Sequence, residues 1–227
     1  MKNKLRSSHQ RGSVLFYILI AIVLFAALSY AVANMMRGNP EMLGSEKARV
    51  YADDIIAYAA AVRTAVQDLK ISNGCAESDI SFSNNFVSGY AHSPVVSNTC
   101  KVFELDGGGI GWYAALTDVN GALDWVFTGA NKVPDVGIDA NPDLVMILPE
   151  VKKNLCLAIN AKLGIPDVSG DAPTDTDDIS STKFTGSYAA SAQIGQTTHF
   201  SGKLAGCFKN TVPNPDTYNF YQVLVVR

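Results

Sequence analysis

The chain has 227 residues and a formal net charge of −3, with a pI of about 5.6. Lys2, Lys4, Arg6 and Arg11 crowd into the extreme N-terminus, so the remainder is more acidic than the total implies. That balance excludes a large nucleic-acid-binding face, and no nucleic-acid partner is expected.

The first twelve residues carry no acidic side chain, and an uncharged stretch, GSVLFYILIAIVLFAALSYAVANMM, then runs from Gly12 to Met36. About 20 such residues in a helix rise enough to cross a ~30 Å hydrocarbon core. The basic flank belongs in the cytoplasm by the positive-inside rule. The expectation is therefore a single-pass inner-membrane protein in contact with the lipid bilayer. Its N-terminus is cytoplasmic and its C-terminal domain periplasmic or extracellular. Ala31-Val32-Ala33 also forms an A-x-A site of the kind that ends a secretory signal peptide. Cleavage after Ala33 would release a soluble periplasmic or secreted binding protein, and no cleavage would leave a signal-anchored single-pass envelope protein. Beyond this stretch roughly 185 residues remain, enough for one domain with its own core.

Residues 41 to 70 follow Gly38-Asn39-Pro40. There Tyr51, Ile55, Tyr58, Val62, Val66 and Leu69 recur at spacings of three and four. This is one apolar stripe of a helix, with charged residues on the other faces. Pro40 predicts a kink or short break between the two helical stretches. Ser72-Asn73-Gly74 ends the second, Gly74 being suited to a left-handed cap.

From Ile80 to Thr128 the pattern turns to short strands around Gly107-Gly108-Gly109 and Asn120-Gly121, which predicts an antiparallel meander. The glycine run lacks a Lys-Ser/Thr end and precedes a strand, so it reads as a hairpin turn and not a phosphate loop. Pro149 to Leu163 predicts a helix, with Val151, Leu155, Ile159 and Leu163 on one face and Gly164 as its C-cap. A polar loop, Asp167 to Thr182, follows. The near-continuous apolar run Tyr218 to Val226 predicts a strand covered on both faces.

Four cysteines, Cys75, Cys100, Cys156 and Cys207, all lie beyond the apolar stretch. An even count in an exported chain predicts disulfides, in any of three pairings. The sequential one, Cys75–Cys100 and Cys156–Cys207, is favoured because each pair brackets a polar, turn-rich stretch. Each bond would stabilise by ~3–4 kcal/mol in the chain-entropy model. A structural zinc is not expected: no C-x-x-C occurs, and His9, His92 and His199 show no ligand spacing. Asp171, Asp175, Asp177 and Asp178 make an oxygen-rich loop that departs from EF-hand spacing, so it reads as solvated and not as a calcium site. Asp135, Asp139 and Asp143 recur at intervals of four, but Pro134, Gly137 and Pro142 argue for a loop. Ser180-Ser181-Thr182-Lys183 matches S-x-x-K without the companion S-D-N or K-T-G, which makes it a chance match. No G-x-S-x-G, H-E-x-x-H or Walker A motif is present. No cofactor, metal or catalytic residue is expected.

Arg11-Gly12-Ser13-Val14-Leu15-Phe16-Tyr17-Ile18-Leu19-Ile20 resembles the class III leader junction of type IV pilins and type II secretion pseudopilins. The resemblance implies cleavage between Gly12 and Ser13 by a prepilin peptidase, with Ser13 as the new N-terminus. It implies that the apolar helix is retained and packs with other pilin-like subunits in a filament core. The family usually has Phe first and Glu fifth in the mature chain, whereas Ser13 and Tyr17 stand there in this one. The missing glutamate points to a minor subunit of a filament or secretion apparatus. The expected fold class is α+β in the pilin manner: a long membrane-spanning helix continuing into an amphipathic helix, packed on an antiparallel β-sheet head. The expected organisation is a basic leader (1–12), a transmembrane or filament-core helix (13–36), an amphipathic stalk (37–74) and an extracytoplasmic α+β head (75–227).

Overall fold

The computed structural model describes residues 12–36, 40–138, 141–177, 179–189, 192–195, 198–212 and 217–227, with side chains placed for 16–28 and from 44 onward. The chain divides into two compact units, Met1–Gly44 and Ser45–Arg227.

The first unit is built on α1 (Gly12–Met36), which has no charged residue in its first or last turn. Among the described residues no helix is long and apolar enough to cross a membrane. This corrects two expectations, the membrane-spanning helix of the fold class and the single-pass inner-membrane placement. The predicted break near Pro40 falls on residues 37–39, outside the described residues; α2 (Pro40–Ile71) begins at the proline itself.

In the second unit α2 follows its apolar stripe. Ala52, Ile55, Ala59, Val62, Val66 and Leu69 are buried in one core cluster with Trp125, Phe127, Met146 and Phe220. Gln67 fixes the helix against the end of the sheet by donating from Nε2 to the Leu224 carbonyl at 2.7 Å. The helix stops where the sequence places Gly74. Its φ of 66° lets the Cys75 N–H turn back to the Leu69 carbonyl at 3.1 Å, satisfying an orphan carbonyl of the last turn.

Six strands form one sheet: β1 (Val126–Lys132), β2 (Asp143–Leu148), β3 (Thr174–Asp175), β4 (Ala192–Gln193), β5 (Ala205–Asn210) and β6 (Thr217–Val225), in the order β3-β5-β6-β2-β1-β4. The four inner strands pair antiparallel, but β3 joins β5 and β4 joins β1 in parallel. The sheet is therefore mixed, which corrects the antiparallel expectation. The physical reason is that both edge strands arrive from long loop excursions and not from hairpins. Both faces are covered. Leu144, Met146, Phe220 and Leu224 point into the cluster under α2. Val145, Ile147, Tyr221 and Val223 point into a second cluster with Ile165, Phe200 and Phe208. A strand alternates its side chains between faces, so a run buried on both sides has no polar positions to alternate. That is why β6 reads as a continuous apolar run.

The predicted meander does not form between Ile80 and Leu123. Ser81 and Lys101 share one isolated bridge, and two 3-10 turns, Glu77–Asp79 and Asn98–Cys100, precede these two positions. The aromatic residues there serve packing: the Phe82 ring stacks on Phe127 at 4.2 Å and 9°. Asn120-Gly121 is no hairpin turn. Gly121, at φ 74°, caps the single-turn helix α3 (Thr117–Asn120).

The predicted second helix is α4 (Lys153–Leu163), ended by Gly164 in the left-handed region with Lys162 in the last turn. It starts four residues later than Pro149. Glu150 takes a positive φ of 52° and turns the chain before the helix begins.

Candidate functional site

The structure pairs the cysteines sequentially, Cys75 with Cys100 and Cys156 with Cys207, and among the described residues none is free. Both sulfurs of the second pair sit on fully buried residues, while Cys75 and Cys100 remain slightly exposed. The two bonds fit an oxidising compartment. Each ties a helix to its neighbour: Cys75 follows the end of α2, and Cys156 on α4 meets Cys207 on β5.

The acidic loop is consumed by structural bonds. Asp171 faces Lys153 at 3.3 Å and Lys209 at 3.6 Å and accepts from the Tyr218 hydroxyl. Burial pushes its carboxyl up, but the Tyr218 and Ala172 hydrogen bonds and Lys153 outweigh this and hold it below the usual range. Asp175 is fully buried. It accepts from the Gly195 N–H at 2.7 Å and the Asp177 N–H at 3.1 Å, yet burial pushes its carboxyl above the usual range. Asp177 turns to the Gln193 N–H, and Asp178 lies outside the described residues. Among the described residues no group of three or more acidic, His or Cys side chains is placed to hold a metal.

The other sequence candidates are dispersed. Asp135 accepts from the Ser201 hydroxyl, Asp143 takes the Val133 and Arg227 N–H groups, and Asp139 lies outside the described residues. In the S-x-x-K match, Ser180 and Thr182 bond each other, while Lys183 donates to the Ser88 carbonyl at 2.7 Å. The two are not brought together as a nucleophile and its base. Gly12 and Ser13 form the first turn of α1, but their side-chain surroundings lie outside the described residues.

Two features have a surface for binding. The first is α1, where Phe16, Tyr17, Ile18 and Leu19 are each exposed by more than half. Successive positions turn by about 100°, so these residues surround the helix. A helix apolar on every side is one whose partners lie outside it.

The second is a cleft of about 430 Å3, lined by Ser78, Asp79, His92 to Ser97, Cys100, Thr185 and Gly186. Ser93-Pro94 is a cis peptide bond within it. His92 is 7% exposed and packs edge-on against Phe184. Burial, its largest influence, pulls its pKa below the ordinary imidazole value, against Asp79 and the Ser78 main chain, which favour the charged ring. Nε2 has no hydrogen-bond partner among the described residues. Sequence reading registered His92 only as an isolated histidine without ligand spacing. Its one local signal is the Ser93-Pro94 step beside it. The loops that enclose it come from positions almost a hundred residues apart.

No family model, curated protein or solved structure matches this chain.

Proposed function

We propose that the chain is a pilin-like or pseudopilin-like minor structural subunit of an envelope filament or secretion apparatus. The observation that carries the reading is the exposed apolar circumference of α1 between Phe16 and Leu28. Surface of this kind marks an interaction site. Helices of neighbouring pilin-like subunits offer the matching apolar faces. The leader-like Arg11 to Ile20 stretch adds a processing step: a prepilin peptidase cuts after Gly12 and leaves Ser13 first. The disulfide-stapled α+β unit fits the head of such a subunit, held in an oxidising compartment. Tyr17 stands where most of the family has glutamate, and it cannot neutralise a neighbour's N-terminal ammonium. The subunit therefore joins a filament made by others and does not polymerise alone.

The deciding measurement is the N-terminal residue of the mature protein. Ser13 is expected. Asn34 would identify a released protein cut after Ala33, and Met1 an unprocessed chain; either result overturns the proposal. Long filaments assembled from this protein alone would refute its minor role.

A further inference from the structure

The His92 ring leaves Nε2 buried and without a hydrogen-bond partner among the described residues. Its other nitrogen, Nδ1, lies close to Gly186, as does the Ser78 carbonyl. A Cβ there would lie 2.6 Å from the Ser78 carbonyl oxygen and 3.0 Å from Nδ1, so any side chain would press on the pair. In either tautomer of the neutral ring Nε2 is an unsatisfied polar atom. That atom is buried, next to a cleft wide enough for the ring or its loop to move into.

We propose that His92 is an acid-triggered switch for this cleft. A proton taken from solvent makes the ring a cation whose buried Nε2–H has no acceptor among the described residues. An unpaired buried charge is far costlier than an unpaired neutral atom. The ring then turns toward the cleft, and the exposed Asp79 carboxylate accepts from it. The segment Ser93 to Ser97, which lines the cleft beside it, shifts with it.

The charged groups around the ring support this direction. Among the described residues lining the cleft, Asp79 and His92 are the ionisable ones, Cys100 being disulfide-bonded. On the segment that packs Phe184 against the ring, Lys183 sends Nζ away, to the Ser88 carbonyl and over the Tyr90 ring at 5.3 Å. Asp79 favours the charged ring through its negative field but does not outweigh burial. At neutral pH the ring is therefore neutral and in its buried position, and acidification moves it toward the cleft.

Nuclear magnetic resonance of the full chain, titrated from pH 7.5 downward, tests this. The expected result is that His92 titrates below the ordinary imidazole value. The amide signals of Val95, Val96 and Ser97 should move with the same midpoint. His92→Gln should abolish that amide transition. Asp79→Asn, an exposed change that leaves the fold intact, should lower the midpoint. If the loop amides do not follow the His92 midpoint in the unaltered protein, or follow an unchanged transition in His92→Gln, the proposal is wrong. The same holds if Asp79→Asn leaves the midpoint in place.

Discussion

Asn160 and Cys207 hold each other by two hydrogen bonds. The Asn160 amide donates to the Cys207 carbonyl at 2.7 Å, and its oxygen accepts the Cys207 N–H at 2.8 Å. A side chain on α4 thus does for β5 what a neighbouring strand would do. It lies one turn along from Cys156, the disulfide partner of Cys207. The buried contact between α4 and β5 is therefore fixed by covalent and polar links at one residue.

Asn160→Ala would leave a buried main-chain N–H and C=O unpaired. Each such loss costs ~1–3 kcal/mol, so the oxidised variant should lose ~2–4 kcal/mol in urea denaturation. A loss below ~0.5 kcal/mol, the range of unremarkable surface substitutions, would mean that the bracket is incidental.

The two disulfides should part company under mild reductant. Cys156 and Cys207 are closed to solvent, whereas Cys75 and Cys100 retain 7% and 9% exposure. Differential alkylation should label Cys75 and Cys100 first. Their sequence separations are 25 and 51 residues. Replacing the shorter-loop pair with alanines should cost about 3.5 kcal/mol, and the longer-loop pair about 4 kcal/mol, in the chain-entropy model. Simultaneous labelling of all four would contradict the burial order.

Tyr90 links the irregular segment to the sheet. Its hydroxyl donates to the Trp125 carbonyl at 3.2 Å and accepts the Phe127 N–H at 3.1 Å; burial pushes its pKa up to about 12. Tyr90→Phe keeps the ring and its packing but strands both main-chain groups. A loss of ~1–3 kcal/mol is expected, and calorimetry of the variant measures it. An unchanged melting temperature would show that the ring alone matters.

Asp171 and Asp175, four residues apart, should titrate in opposite directions. The lowered value of Asp171 means that the unfolded chain binds its proton more readily. Its stabilisation is present above the ordinary carboxylate pKa of about 4 and is lost as pH falls below it. The raised value of Asp175 means that the folded chain binds the proton more readily. Its contribution therefore falls as pH rises from about 4 through its folded value. Carboxyl carbon titration should place the two on either side of the ordinary value. Asp171→Asn should flatten the acid limb of the stability curve.

A charge on α1 should affect assembly and not the head. Phe25 is 72% exposed, so Phe25→Lys removes no packing within the chain. Cross-linking to filament subunits should fall sharply while the melting temperature of the disulfide-bonded unit stays within about 2 °C, the shift of a change well under 1 kcal/mol. Unimpaired cross-linking would disqualify α1 as the assembly surface.

The long periodic elements were legible in the sequence: the α2 stripe from Tyr51 to Leu69, the Gly164 cap, and the doubly covered β6. In each, one local rule and the tertiary packing demand the same thing. Ile80 to Leu123 was misread because its aromatic residues look like strand formers. Phe82 and Tyr90 instead supply bulk to a core that the sheet and α2 leave open. Asn120-Gly121 carries the same two residues whether it closes a hairpin or a helical turn. Length and composition read the apolar N-terminal stretch as a membrane span, whereas among the described residues no helix is long and apolar enough to cross one. His92 was passed over because no spacing rule registers a cavity formed by distant loops.

The outermost strands, β3 and β4, are two residues each. A sheet that ends so abruptly gives a second copy almost no unpaired ladder on which to add a strand. Asn160 blunts β5 in the same way, filling at Cys207 the hydrogen-bonding positions that a foreign strand would use. Two copies at high local concentration can therefore lie side by side without fusing their sheets. Protection against strand addition is thus built into the ends of the sheet.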